Sequence, residues 1–260
     1  MDLMRAIISN WIKTKRTAFR YIVLLVPILF PALVLSYISV YKIDYTFQIK
    51  VYNLYFETIA LGLTLMAGLL TALNIMGEES SGDFRALLAS PLPRNTIYFG
   101  KLFMIILITI IDMFVSLGIL LIGMKFIYKG AYIQYGPFLQ GTLFTTIGVL
   151  FLYGFYLIIS INFGMGHTIA ITAGGTILGA LMQTGMGDRI WQFIPWSWSG
   201  RIGILPIAKL KGAVDSRYGD STMIMMKEFY KGMPILIISF LVICIIGALW
   251  FKKWEGRKSY

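Results

Sequence analysis

The sequence predicts an all-α integral membrane protein, a single transmembrane domain over residues 1–260 with six spans. Three observations predict it. The chain is 58% hydrophobic and only 13% charged, where soluble domains carry about 25% charged residues. Its apolar runs reach roughly 18 residues or more, enough to cross about 30 Å of hydrocarbon as helix. Lipid forbids open sheets, because no water is at hand to satisfy an unpaired backbone group. No room remains for a separate soluble domain.

Residues 1–20 read as an amphipathic helix lying in the membrane interface. At about 100° per residue, Leu3, Met4, Ile7, Ile8, Trp11 and Ile12 fall on one half of the wheel. Asp2, Arg5, Ser9, Lys13, Arg16 and Arg20 fall on the other, with Lys15 the exception. A basic face opposite Trp, Ile and Leu suits the headgroup boundary. The first span is expected at 21–41, kinked by Pro27 and Pro31, and a loop with Lys42, Asp44 and Lys50 follows. The second span is expected at 56–76. Thr64, Gly68, Thr71 and Asn74 share one face of it, which should pack against other helices. A polar segment, GEESSGDFRALLASPLPRNTIYFGK at 77–101, separates it from the third span at 102–124. The fourth and fifth spans are expected at 138–161 and 168–183, joined by a short turn at 162–167. Gly175 and Gly179 form a G-x-x-x-G pair, expected to admit another helix closely. Residues 184–232 leave the apolar pattern. Within them IWQFIPWSWSGRIGILP reads as an interfacial or re-entrant segment, or as the lining of a peptide entrance. The sixth span, 233–251, is almost purely aliphatic and expected to face lipid. Trp250, Lys252, Lys253 and Trp254 anchor its end.

Lys and Arg number 23 against 12 Asp and Glu. In a chain this apolar the excess points to anionic lipid headgroups rather than to nucleic acid. The heavy basic loading just before the first span and just after the sixth places both termini in the cytoplasm. Segment 77–101 is then cytoplasmic and segment 184–232 extracellular. The first apolar run is too long for a signal peptide and no A-x-A-like site follows it, so it is expected to remain as an anchor. The single cysteine, Cys244, excludes an internal disulfide and a cysteine metal cluster.

Asp112 is the one acid deep in a span, with Thr109 and Ser116 on its helix face. An intramembrane ionisable group marks a functional site or a carboxyl hydrogen-bonded inside the bundle. His167, the only histidine, sits in a turn without the three or four ligands that zinc requires, so no metal site is expected. GMGHTI and GMGDRI lack the third glycine and preceding strand of a dinucleotide fingerprint. No G-x-x-x-x-G-K-[ST], H-E-x-x-H or G-x-S-x-G occurs, which argues against a P-loop nucleotide site and against a membrane hydrolase.

Within 77–101 the order Glu78, Glu79, Gly82, Phe84, then LLASPLPR and Lys101 resembles permease subunits of type-2 ABC exporters. The six-span plan with its interfacial helix is similar too. PWSW at 195–198, before a long last loop, resembles the permeases of lantibiotic-immunity ABC transporters. That resemblance implies a bacterial plasma-membrane exporter that confers antibiotic resistance by expelling a lantibiotic-type peptide. The chain would bind no cofactor itself, with ATP and Mg on two copies of a partner ATPase. A second permease, identical or different, would complete it. The segment after the second span would be the coupling helix, with Glu78, Glu79, Gly82, Phe84, Arg85, Leu88, Pro91 and Arg94 contacting the ATPase. Thr109, Asp112, Ser116, Trp191, Trp196 and Trp198 are candidates for the substrate path. Because the outer loops are net basic, a cationic peptide would have to be captured by apolar and aromatic contacts, with Asp188, Asp215, Asp220 and Glu228 softening the field. Two other classes remain open on the residues alone: a proton-coupled secondary carrier using Asp112, and a membrane sensor that binds peptide without moving it.

Overall fold

The computed structural model describes residues 2–40, 44, 46–82, 84–85, 89–127, 132–211 and 221–256, with the backbone alone for residues 221, 222 and 224. Tyr41, Lys42, Leu87, Leu88, Lys129, Asp215 and Asp220 lie outside the described residues. Every regular element among those described is helical: α1 (Asp2–Lys13), α2 (Ala18–Ile38), α3 (Phe47–Ser80), α4 (Arg94–Ile127), α5 (Tyr135–Met182), α6 (Trp198–Gly203) and α7 (Ser221–Lys253), with four short 3-10 turns around α6. Five helices are long and apolar enough to cross a membrane: α2, α3, α4, α5 and Met225–Lys253 of α7.

The first difference from the sequence expectation is in α5. Two helices meet at Gly164, where φ is 82° and ψ −176°, a conformation essentially reserved for glycine. The arms 135–163 and 165–182 fold back on one another. Trp196 Nε1 donates to Tyr156 Oη on the first arm at 2.8 Å, while a Cβ at Gly175 of the second arm would collide with the same indole. In a straight helix those two positions would stand about 28 Å apart. The turn expected over 162–167 thus narrows to one residue. The G-x-x-x-G pair admits no helix; the Trp196 side chain and backbone fill the space over Gly175 and Gly179.

Helix lengths also differ. Each of α3 and α4 has 34 residues, about 51 Å at the helical rise, well beyond the hydrocarbon thickness. Helix α3 starts early because Asp44 Oδ1 accepts the Thr46 backbone N–H at 3.0 Å and the Thr46 hydroxyl at 2.8 Å, fixing the chain just before the helix. From there Phe47, Val51, Tyr55, Phe56, Ile59 and Leu63 continue a helical stripe that is buried throughout. Helix α2 runs through Pro27 and Pro31 as one element with both prolines on its buried side. On α3 the small face is buried, and Gly68 lies so close to Thr172 that no side chain fits between them.

Within 184–232 lies the Trp- and Pro-rich stretch that reads as interfacial or re-entrant. Residues 191–209 do not stand away from the bundle. They turn back into it, with α6 wedged among α3, α5 and α7. Ser199 backbone atoms lie against Gly148, where a Cβ would come within 2.5 Å of Ser199 Cα. Tyr52 Oη donates to the Gly203 carbonyl at 2.8 Å, and Ser199 Oγ donates to the Ala60 carbonyl at 3.4 Å. Arg201 Nε donates to the Met182 carbonyl at 2.6 Å and Nη1 pairs with Asp188 at 2.7 Å, so one guanidinium closes the carbonyl end of α5. Helix α7 then begins at Ser221 rather than at 233. One side of it, Leu236, Cys244, Ala248 and Phe251, is buried; Ile238, Leu241, Ile245 and Leu249 are exposed.

Helix α1 and the last turn of α7 both sit at the end of the bundle where α3 finishes and α4 starts, here called the hinge end. Helix α1 seats Ala6 and Asn10 against Gly100 of α4. Leu3, Met4, Ile8 and Ile12 stay exposed, an apolar strip on the outside of the bundle.

Candidate coupling and ligand sites

At the hinge end two lysines converge on one carboxylate. Glu78 Oε1 accepts from Lys101 Nζ at 2.8 Å and from Lys13 Nζ at 2.9 Å. Lys101 Nζ also donates to Asn10 Oδ1 at 3.3 Å and Asn74 Oδ1 at 3.4 Å. Lys101 is 2% exposed and Glu78 8%. A buried ammonium is tolerable only when paired and hydrogen-bonded, and here residues from α1, α3 and α4 supply the pairing. The knot therefore ties the interfacial helix to both helices that flank segment 77–101. Glu78 is held inside it and presents no free surface carboxylate.

Phe84 and Arg94 also turn inward. The Phe84 ring meets Trp254 edge-on at 5.2 Å, Phe84 is 3% exposed, and Arg94 Nη1 donates to the Trp254 carbonyl at 2.8 Å. Trp254 in turn stacks on Phe251 at 5.7 Å. The Phe84 ring is thus covered by Trp254, just beyond α7, in this chain on its own. Gly82, with φ 124°, Arg85 and Pro91 are exposed, and Glu79 is half-buried. The Ala89 N–H donates to the Arg85 carbonyl at 2.8 Å. Leu88 lies outside the described residues.

The second site is a cleft of about 240 Å³ between α2, α3 and α4. The structure brings Thr109, Asp112 and Ser116 to its wall together with Tyr153. The flanking hydroxyls are already engaged: Thr109 Oγ1 lies 2.6 Å from Tyr153 Oη, and Ser116 Oγ 2.9 Å from Tyr55 Oη. Otherwise the wall is aliphatic and aromatic, with Val23, Pro27, Phe30, Ile59, Leu63 and Met66.

The three tryptophans belong to neither site. Trp191 Nε1 donates to Glu228 at 3.1 Å, Trp198 Nε1 to the Gln192 carbonyl at 3.1 Å, and Trp196 to Tyr156. Trp191 and Trp198 are buried. Hydrogen bonds within the chain hold all three indoles in place. Lys13, on the polar face of α1, and Lys101, the lysine closing the 77–101 motif, carry no site role on sequence alone, and neither do Tyr55 and Tyr153. The available signal was Lys101 itself, a charge at the mouth of an apolar helix.

The family model described as ABC-2 family transporter protein matches residues 6–182, more than half of the 260-residue chain. No curated protein and no solved structure matches it. The match takes in α1 through α5, and with them the lysine knot, the hinge segment and the cleft. Together with helices long enough to span a bilayer, it shows that the chain belongs to the ABC-2 transporter family, as a multi-pass membrane permease subunit.

Proposed function

We propose that this permease is half of an ATP-driven exporter in a bacterial plasma membrane and that it expels a lantibiotic-type peptide, conferring resistance. Family membership implies an ABC ATPase partner in general. In our reading two ATPase copies bind at the hinge end, hold ATP and Mg, and act on this chain and a second permease, identical or different. The reversal of α5 at Gly164 supports six crossings. The position of α1 and the end of α7 at one end of the bundle supports termini on one side, which the basic flanks make cytoplasmic.

One observation carries the coupling reading. The exposed turn at Gly82–Arg85–Pro91 is backed by the Glu78–Lys101–Lys13 knot on one side and by Trp254 on the other. A push on that turn reaches α1, α3, α4 and α7 as one rigid body rather than dissipating in a loop. Glu79, Gly82, Arg85, Leu88 and Pro91 then make the contact, while Glu78, Phe84 and Arg94 brace it from within. The peptide substrate is supported by the resemblance at PWSW, 195–198.

The test is reconstitution of the chain with its ATPase and second permease in inverted vesicles, with ATP and labelled lantibiotic-type peptide added outside and uptake into the lumen measured. ATP-dependent movement of the peptide, absent without the ATPase, is the expected result. Movement driven by a proton gradient without ATP would replace this reading with a carrier working at Asp112. Peptide binding without movement would make the chain a sensor.

A further inference from the structure

We propose that the Asp112 cleft is a binding site for a lipophilic primary ammonium, a hydrophobic chain that ends in a protonated amine. Among the described residues no hydrogen bond or ion pair engages the Asp112 carboxylate, although it sits midway along α4, a membrane-spanning helix. Its helical neighbours cannot serve it readily, since Thr109 and Ser116 are committed to Tyr153 and Tyr55. A counter-charge stabilises the ionised form of a carboxyl in apolar surroundings, and among the described residues this chain brings none to it. The remaining wall offers Pro27, Phe30, Leu63 and Met66, which suit an alkyl or aromatic body.

The shape of the donor set narrows the cation. A divalent ion takes six or more oxygens, and no group of three His, Cys, Asp or Glu side chains that could hold a metal exists among the described residues. A primary ammonium needs far less. One carboxylate satisfies its charge and, with two oxygens, can accept more than one of its N–H bonds. Val26 of α2, part of the cleft wall, is also exposed, so the cleft can be entered from the side of the bundle. A ligand dissolved in the bilayer can therefore reach Asp112 without crossing water. In naming a substrate class this rests on the exporter reading above; the binding itself is tested without the ATPase.

The chain is placed in nanodiscs of zwitterionic phosphatidylcholine, and binding of radiolabelled dodecylammonium is measured after subtraction of uptake by empty discs. Saturable binding is expected, weakened roughly thirtyfold or more by Asp112→Asn, as for loss of one partner of a desolvated charge pair. Asp112→Glu is expected to retain binding, and dodecanol to compete poorly. A thermal melt of Asp112→Asn no lower than that of the unmodified chain separates lost binding from lost fold. Equal affinity in Asp112→Asn overturns the proposal, as does dodecanol competing as well as the amine, which marks a groove for lipid tails only. Absence of saturable binding in a folded chain overturns it too. If the amine binds but the ATPase-loaded complex moves neither it nor the lantibiotic-type peptide, the site stands and the exporter reading fails.

Discussion

Lys101 shows how a single side chain decides the mechanics of the hinge end. Its ammonium is enclosed, and among the described residues only Glu78 answers it with negative charge. Removing that carboxylate as Glu78→Ala leaves an uncompensated buried cation, an effect on the order of 3–5 kcal/mol. Lys101→Met should be milder, because Glu78 keeps Lys13 at 2.9 Å. The pair Glu78→Ala with Lys101→Met removes both buried charges, so no uncompensated cation is left in the interior. The double variant should therefore melt well above Glu78→Ala, with a coupling of about 0.5–3 kcal/mol in a double-mutant cycle. Thermal unfolding in lipid discs measures all four members. Additive effects of the two substitutions would show that no such pair exists.

At the scale of elements, Gly164 sets the topology of α5. Its φ of 82° with ψ near −176° strains any residue with a Cβ. Gly164→Ala should splay the two arms. A short bis-maleimide linking cysteines at Tyr156 and Thr172, in a Cys244→Ala background, should join them in the chain with Gly164 and fail in Gly164→Ala. Equal linking in both would mean that the reversal does not depend on the glycine. The sequence made both arms visible, because each is a run of apolar residues at membrane length. It hid the reversal, because a hairpin closed by one glycine leaves no polar loop to mark it. The re-entry of 191–209 was legible only as an excess of Trp and Pro. Whether such a segment lies on the bundle or in it depends on Gly148, Gly200 and Gly203, whose missing side chains make room for backbone and side-chain neighbours on other elements. Periodicity within one helix cannot see that. The early starts of α3 and α7 were missed for a related reason: Gln48, Lys50, Asn53, Lys227 and Glu228 interrupt the apolar pattern while the helix continues past the hydrocarbon.

For the whole molecule the question is how force at the hinge reaches the spans. Segment 77–101 was recognisable from its composition, and its neighbours by sequence bear on it least. Its braces come from far along the chain, Lys13 from α1 and Trp254 from beyond α7, and such pairings are set by the fold. The structure thus splits the segment into a braced interior and an exposed turn, and the two halves should fail differently. Arg85→Glu changes an exposed charge, so the fold should melt within about 0.5 kcal/mol of the unmodified chain. Reversing a charge at a docking surface acts on the complex instead, where a like-charge contact costs several kcal/mol. ATPase capture by the reconstituted permease, and ATP-dependent transport with it, should fall by roughly tenfold or more. Phe84→Ala should do the opposite. It opens a gap beside Trp254, lowering the melting temperature through a loss of about 3–5 kcal/mol at most, while leaving the exposed turn able to meet the ATPase at lower temperature. Capture and melting measured side by side distinguish the two. If Arg85→Glu leaves capture and transport intact while Phe84→Ala abolishes capture without lowering the melt, the ATPase reads the interior of the segment and the exposed turn is not its docking surface.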